Sequence, residues 1–377
     1  MAHELWTHEF LESMRQEGDP LADAVVAELF AGGANVVHAV NYLMRDLVEN
    51  DDLPSRALPQ PLRVYFDRPM LPDWTDPVRL RRGTELFHRY GPLIIMLLNT
   101  YSLPLSYAAR KGVQVLGRTE RLHSNAKRRI IETAQMIIDI MAPGGLDPAS
   151  HGKGLRSAQK VRLMHATIRH LLGKDPSWDP DFGLPVNQED LAGTLGAFSV
   201  AVIDGLERLG VELGADEIDA YMHTWSVVGH VMGVRPELLP ADHAEGKRLV
   251  TLIGERHFAA CPEGQMMTAA LLEMMAAIVP GTIFDDVPGQ FVRFFVGEEV
   301  AQILAIPDRG DTPFIGAMRL LGHSGDAAGD RSALVQTLAR RFSALLIDGM
   351  MLVNRGGQRL PFNIPTELRQ VWGVNWR

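Results

Sequence analysis

The 377 residues contain one cysteine, Cys261. A single thiol cannot close a disulfide within the chain, nor build a thiolate zinc or iron–sulfur site. No Gly-x-Ser-x-Gly elbow is present, which counts against an α/β-hydrolase, and Gly152-Lys153-Gly154 lacks the rest of a phosphate-cradling loop. A basic excess is also missing: 37 Lys and Arg face 46 Asp and Glu, for a net charge of −9. That balance argues against a nucleic-acid partner. The longest greasy run, Pro92 to Asn99, is far too short to span a bilayer. The opening MAHELWTHEF has neither a basic start nor an apolar core, and no twin-arginine signal appears, so a cytoplasmic location is expected. Alternating apolar–polar runs of the strand type are absent as well.

What remains is helical. Hydrophobic residues make up 46% of the chain, enough for a sizeable core. Seventeen methionines against six tyrosines suit a soft interior, although most of them need only fill gaps between helices. The expectation is one all-α domain over residues 1–377. Helices are predicted at about 3–17 and 21–49, followed by an extended Pro-rich arm over 50–73. A helix over 76–90 ends before Pro92, and short helices follow to 112. Two helices are joined by a Gly/Pro-rich loop at 143–156. Asn187 is a good N-cap for a helix running to about 209, with Glu189 and Asp190 in its first turn. Further helices are predicted near 215–232, 240–258, 262–279, 286–303 and 329–353.

The most informative stretch is QKVRLMHATIRHLL. It sets His165 in an apolar helix face, with Arg162 three residues before it and Arg169 four after. On a 3.6-residue helix both arginines fall on one side of the histidine, and Val161, Met164, Ile168 and Leu172 on the other. Such a face suits a flat apolar ligand with two carboxylate tails and a metal centre. Heme has that shape: imidazole to iron, guanidiniums to propionates, aliphatics to the ring. The same pattern fits a structural core histidine flanked by arginines that pair with acids. With no C-x-x-C-H in the chain, any heme is held non-covalently.

The preceding segment, KRRIIETAQMIIDIM, carries Arg129, Thr133, Met136 and Ile140 on one stripe, with Glu132 at its edge. Arg-x-x-Glu-Thr here, then Val-Arg-x-x-His-x-x-x-Arg, resembles the oxygenases that include latex clearing protein and the mycophenolic acid pathway oxygenases. Gly183 to Leu191 with Thr194, Phe198 and Ser199 is also similar, as are Phe291-Val292-Arg293 and Leu304 to Pro307. The resemblance covers roughly residues 75–310. It leaves 1–74 as N-terminal helices plus the arm, and 311–377 as a C-terminal helical extension. It implies a globin-like core holding heme b, with His165 as axial ligand and Arg129 and Thr133 on the distal side. Arg162, Arg169 and Arg293 would be the heme-neighbouring arginines. One departure stands out: rubber-cleaving members can carry an iron-ligating lysine where this chain has Glu132. That carboxylate could be a general base, an iron ligand, or a partner for Arg128 or Arg129.

These readings converge on a heme-dependent oxygenase that acts with dioxygen on an unsaturated hydrophobic small molecule. The alternatives are a non-catalytic heme-binding sensor or carrier, or a helical protein without cofactor. Glu120 and His123 form half of a di-iron helix motif whose second copy is missing. His223 and His230 are more weakly placed, with His230 an outside candidate for a second iron contact.

Overall fold

The computed structural model describes residues 6–31, 59–68, 70–119, 126–148, 152–278, 287–308, 337, 339–348, 350 and 372. Every regular element among these residues is helical, and the one β-type contact is an isolated bridge between Ala109 and Phe258. The fold is all-α. Its helices are α1 (His8–Met14), α2 (Pro20–Ala31), α3 (Gln60–Phe66), α4 (Pro77–Leu97), α5 (Leu103–Ala108), α6 (Val113–Thr119) and α7 (Ala126–Met141). They continue with α8 (Lys153–Leu172), α9 (Gln188–Phe198), α10 (Val200–Arg208), α11 (Ala215–Val231), α12 (His243–His257), α13 (Pro262–Ile278) and α14 (Val287–Ile303).

The core is built on α4 and α11, which pack along their length. Phe87, Ile94, Leu97, Trp225 and Phe291 are buried in one continuous apolar cluster. The expected break before Pro92 does not occur: α4 runs through it and passes into a π-turn over Leu98–Ser102. Proline has no N–H, so it leaves the carbonyl four residues earlier without its helical donor. That carbonyl belongs to His88, and the indole Nε1 of Trp372 donates to it at 2.8 Å. A partner remote in sequence thus compensates the proline, and the helix survives.

Two other expectations are corrected. The segment read as an extended arm contains α3, whose Leu62, Tyr65 and Phe66 are buried. Pro61 lies in the first turn of α3, where proline is tolerated, and the i, i+3, i+4 apolar positions then seat it against α2 and α8. The helix expected over 187–209 is two, α9 and α10, parted at Ser199.

α8 is clasped between two surroundings. Leu163 and Ala166 pack with Val26, Leu29 and Tyr65 of α2 and α3. The opposite face, with Val161, Met164, His165 and Ile168, borders a large cavity. α7 meets the start of α8 closely. A Cβ at Gly154 would lie 2.7 Å from the Asp139 carbonyl oxygen and 2.7 Å from the Ile140 amide. All of these close atoms are α7 backbone, so a methyl group fits only if the two helices move apart. Gly154→Ala is therefore expected to destabilise the fold by about 1–3 kcal/mol, the usual range for overpacking. Urea denaturation measures this, and an unchanged midpoint would show that the two helices can separate freely.

Candidate active site

The cavity has a volume of about 1380 Å³. α7 contributes Arg129, Glu132, Thr133 and Met136, and α8 contributes Val161, Met164, His165 and Ile168. From α9 come Glu189, Asp190, Leu191, Thr194 and Phe198, and from α12 come Lys247, Ile253 and His257. Four residues singled out in the sequence, Arg129, Glu132, Thr133 and His165, thus border one space. The α7 stripe delivers them because residues 129, 132 and 133 are one turn apart.

His165 has the most distinctive chemistry among these. Its Nδ1 is buried with no hydrogen-bond partner. Burial, and secondarily the Arg169 guanidinium, push the imidazole down from the usual 6.5 to about 4. The ring is neutral at pH 7, which leaves a nitrogen lone pair for a metal or a donor. The linkage follows from this. Between pH 6.5 and about 4 the unfolded chain takes up a proton that the folded chain refuses. Stability of the ligand-free protein is therefore expected to fall as pH drops through that window. His165→Phe should flatten the dependence, and an identical pH profile in the variant would contradict the assignment.

Arg162 and Arg169 do not line the cavity. Arg162 donates through Nε and a terminal nitrogen to Asp19, at 2.5 and 2.8 Å, and also to the Val231 carbonyl. Arg169 donates from Nε to Asp23 at 2.8 Å and from Nη1 to the Val186 carbonyl at 2.8 Å. Helix geometry explains this. Both positions sit on the border between the His165 stripe and the Ala166 stripe. Ala166 packs toward α2, and the α2 side supplies the carboxylates. Arg293 likewise binds the Ile306 carbonyl at 2.7 Å and Glu298 at 2.5 Å.

His223 accepts a hydrogen bond from the Asp76 amide at 3.0 Å, and Trp74 lies edge-on to both His223 and His230. Neither histidine borders the cavity. Glu120 and His123 lie outside the described residues.

A buried charge network that sequence reasoning missed closes the opposite wall. Arg15, fully buried, pairs with Glu189 at 3.3 Å and Asp190 at 3.0 Å, and also donates to the Phe182 carbonyl. Glu189 additionally accepts from Arg256 Nε at 2.7 Å and His257 Nε2 at 2.8 Å. Burial pushes the Glu189 carboxyl up, but the hydrogen bonds from His257 and Arg256 outweigh it and hold the group below its usual range. Asp190 moves the other way: burial raises it, and Arg15 offsets only part of that rise. Asn187 caps α9 by accepting from the Asp190 amide at 2.9 Å, as its position before the acidic turn predicts. Beside it Val186 adopts φ 53°, a left-handed conformation that β-branched residues rarely take. The 183–187 turn is held against α1: Leu184 donates to the Arg15 carbonyl, and a Cβ on Gly183 (φ 73°) would crowd it at 2.7 Å.

An all-α fold with a deep mixed-polarity cavity defines a class, and comparison with known proteins identifies it. Residues 87–323 match the family described as ER-bound oxygenase mpaB/B'/Rubber oxygenase, catalytic domain. The chain belongs to this family and is by class an oxygenase, an oxidoreductase. It is 29% identical over 324 residues to Rubber oxygenase of Streptomyces sp. (strain K30), covering 81% of this chain and 77% of that protein. The solved structure of latex clearing protein in the closed state superposes with a TM-score of 0.73 at 25% identity. That match covers 93% of this chain and 95% of the other. No helix among the described residues is long and apolar enough to cross a membrane.

Proposed function

We propose that the chain is a heme b-dependent oxygenase that uses dioxygen to oxidise or cleave a C=C bond of an unsaturated hydrophobic molecule. The observation that carries this reading is His165. It is a neutral imidazole without a hydrogen-bond partner at Nδ1, on the wall of a cavity flanked by Val161, Met164 and Ile168. The volume exceeds the roughly 300–1,000 Å³ of an ordinary small-molecule site, so a flat macrocycle and a substrate have room together. The residues fit the group at its iron and ring. Toward the propionates they fit less fully, since Arg162 and Arg169 already hold carboxylates. Arg169 has one terminal nitrogen without a hydrogen-bond partner, but it is buried away from the cavity lining.

When bound, heme supplies the dioxygen chemistry, and the protein supplies orientation and polarity. Arg129 and the Thr133 hydroxyl are donors that can orient a polar oxygen ligand in the cavity. The Glu132 carboxylate is an acceptor on the same turn, suited to take a proton from a carbon beside the double bond. The apolar residues of α8 and α9 hold the chain of the substrate and keep water away from it.

An absorbance spectrum of the purified protein, together with dioxygen-dependent turnover of an unsaturated lipid, tests the reading. A Soret band and turnover are expected. A band without turnover would indicate a sensor or carrier, and a colourless protein that takes up no added heme would end the proposal. Arg129→Ala is expected to retain the band and lose turnover by about 10²–10³-fold, the scale for one oriented donor. Unaltered turnover would remove Arg129 from the site.

A further inference from the structure

The cavity carries a second imidazole whose hydrogen bonding is incomplete. His257 is only 5% exposed and borders the cavity together with Glu189. Its two ring nitrogens have different environments. Nε2 lies 2.8 Å from Glu189 Oε2 and at the limit of 3.5 Å from Arg15 Nη1, so the short carboxylate contact decides its role, while Nδ1 is buried with no hydrogen-bond partner. Glu189 also accepts from Arg256 and Arg15, so it is ionised and can only accept from His257. The ring proton therefore sits on Nε2, and in the neutral ring Nδ1 is an acceptor lacking a donor. Arg15 and Arg256 face three carboxylates, Glu12, Glu189 and Asp190, so the network offers no spare positive charge to attract an anionic group. A buried acceptor left without a donor is a standing penalty. His257 borders the cavity, so a ligand there that brings an O–H or N–H can relieve it.

We propose that His257 is a hydroxyl-recognition point: its Nδ1 accepts a hydrogen bond from an alcohol group on the substrate. The substrate class is then the unsaturated aliphatic alcohols, with the apolar chain along α8 and α9 and the hydroxyl at α12. This deepens the oxygenase reading and rests on it for the word substrate. Glu189 is a positioning residue in this arrangement, since it fixes which nitrogen accepts. Polymeric hydrocarbon has no group for this point to bind.

Binding of oleyl alcohol and of its methyl ether to the purified full-length protein, followed by tryptophan quenching, tests the idea. The ether keeps the chain and the oxygen and replaces the donor hydrogen with a methyl group, whose bulk the His257→Phe comparison controls for. The alcohol is expected to bind about ten-fold tighter, the scale of one well-made hydrogen bond. His257→Phe should bring the two ligands to equal affinity by weakening only the alcohol. His257→Gln, whose amide can donate to Glu189 and accept from a ligand, should keep part of the preference and serves if the Phe variant does not fold. Equal binding of alcohol and ether by the native protein overturns the proposal and would mean that water completes the ring. A full preference in His257→Phe overturns it too. The outcome separates from that of the heme assignment: a heme-loaded protein indifferent to the hydroxyl sinks only this inference, and a hydroxyl-selective protein that takes up no heme sinks only the other.

Discussion

His165→Ala is expected to yield a folded helical protein that no longer retains heme. The other histidine bordering the cavity among the described residues, His257, has its Nε2 committed to Glu189. No second imidazole stands ready at the α8 wall. Changes one shell away from a metal ligand already lower affinity roughly 10–100-fold, so loss of the ligand itself should exceed about 100-fold. Helical content should hardly change, because the α8 face toward α2 is carried by Leu163 and Ala166. The Soret band and the far-ultraviolet circular dichroism read the two effects separately. A variant with unaltered heme content and spectrum would make His165 structural.

The largest stability effect is expected at Arg15. This guanidinium is fully buried and joins Glu189, Asp190 and the Phe182 carbonyl. Arg15→Ala leaves two carboxylates short of a counter-charge and should destabilise the fold by about 3–5 kcal/mol, as loss of one member of a buried pair does. Arg79→Ala is the contrasting case. Arg79 meets Asp219 at 2.6 Å, but both side chains are at least one-third exposed, and the change should stay under about 1 kcal/mol. Urea unfolding of both variants measures the difference. Equal midpoints would show that the buried network contributes no more than a surface pair.

The sequence announced those parts whose signals are local. The boundaries of α11, α13 and α14 follow from apolar period and breakers, and Asn187 marks the start of α9 three residues before the amide it caps. The stripe of Arg129 and Thr133 with Glu132 at its edge, and the apolar face around His165, are equally local, but it is the family resemblance that sets the two helices around one ligand. The misreadings come from distance along the chain. Pro92 looks like a helix end until Trp372 supplies the missing donor. Pro59 and Pro61 suggest an extended arm until α3 finds α2 and α8 to pack on. Arg162 and Arg169 sit on a stripe border, and only the fold reveals that Asp19 and Asp23 face them. Nothing local links residues 15, 189 and 257, so the charged wall was invisible in the sequence.

The bond from Trp372 to the His88 carbonyl also orders events during synthesis. The two residues lie 284 positions apart. At ribosomal rates of roughly 5–20 residues per second, that gap lasts on the order of tens of seconds. Once α11 has also been made, α4 can pack on it, while the carbonyl opposite Pro92 still lacks its native donor. The central helix of the core is therefore completed late, when a tryptophan translated long afterwards reaches it. A nascent chain paused before residue 372 would carry that open carbonyl and a Gly91 surface not yet covered by the indole.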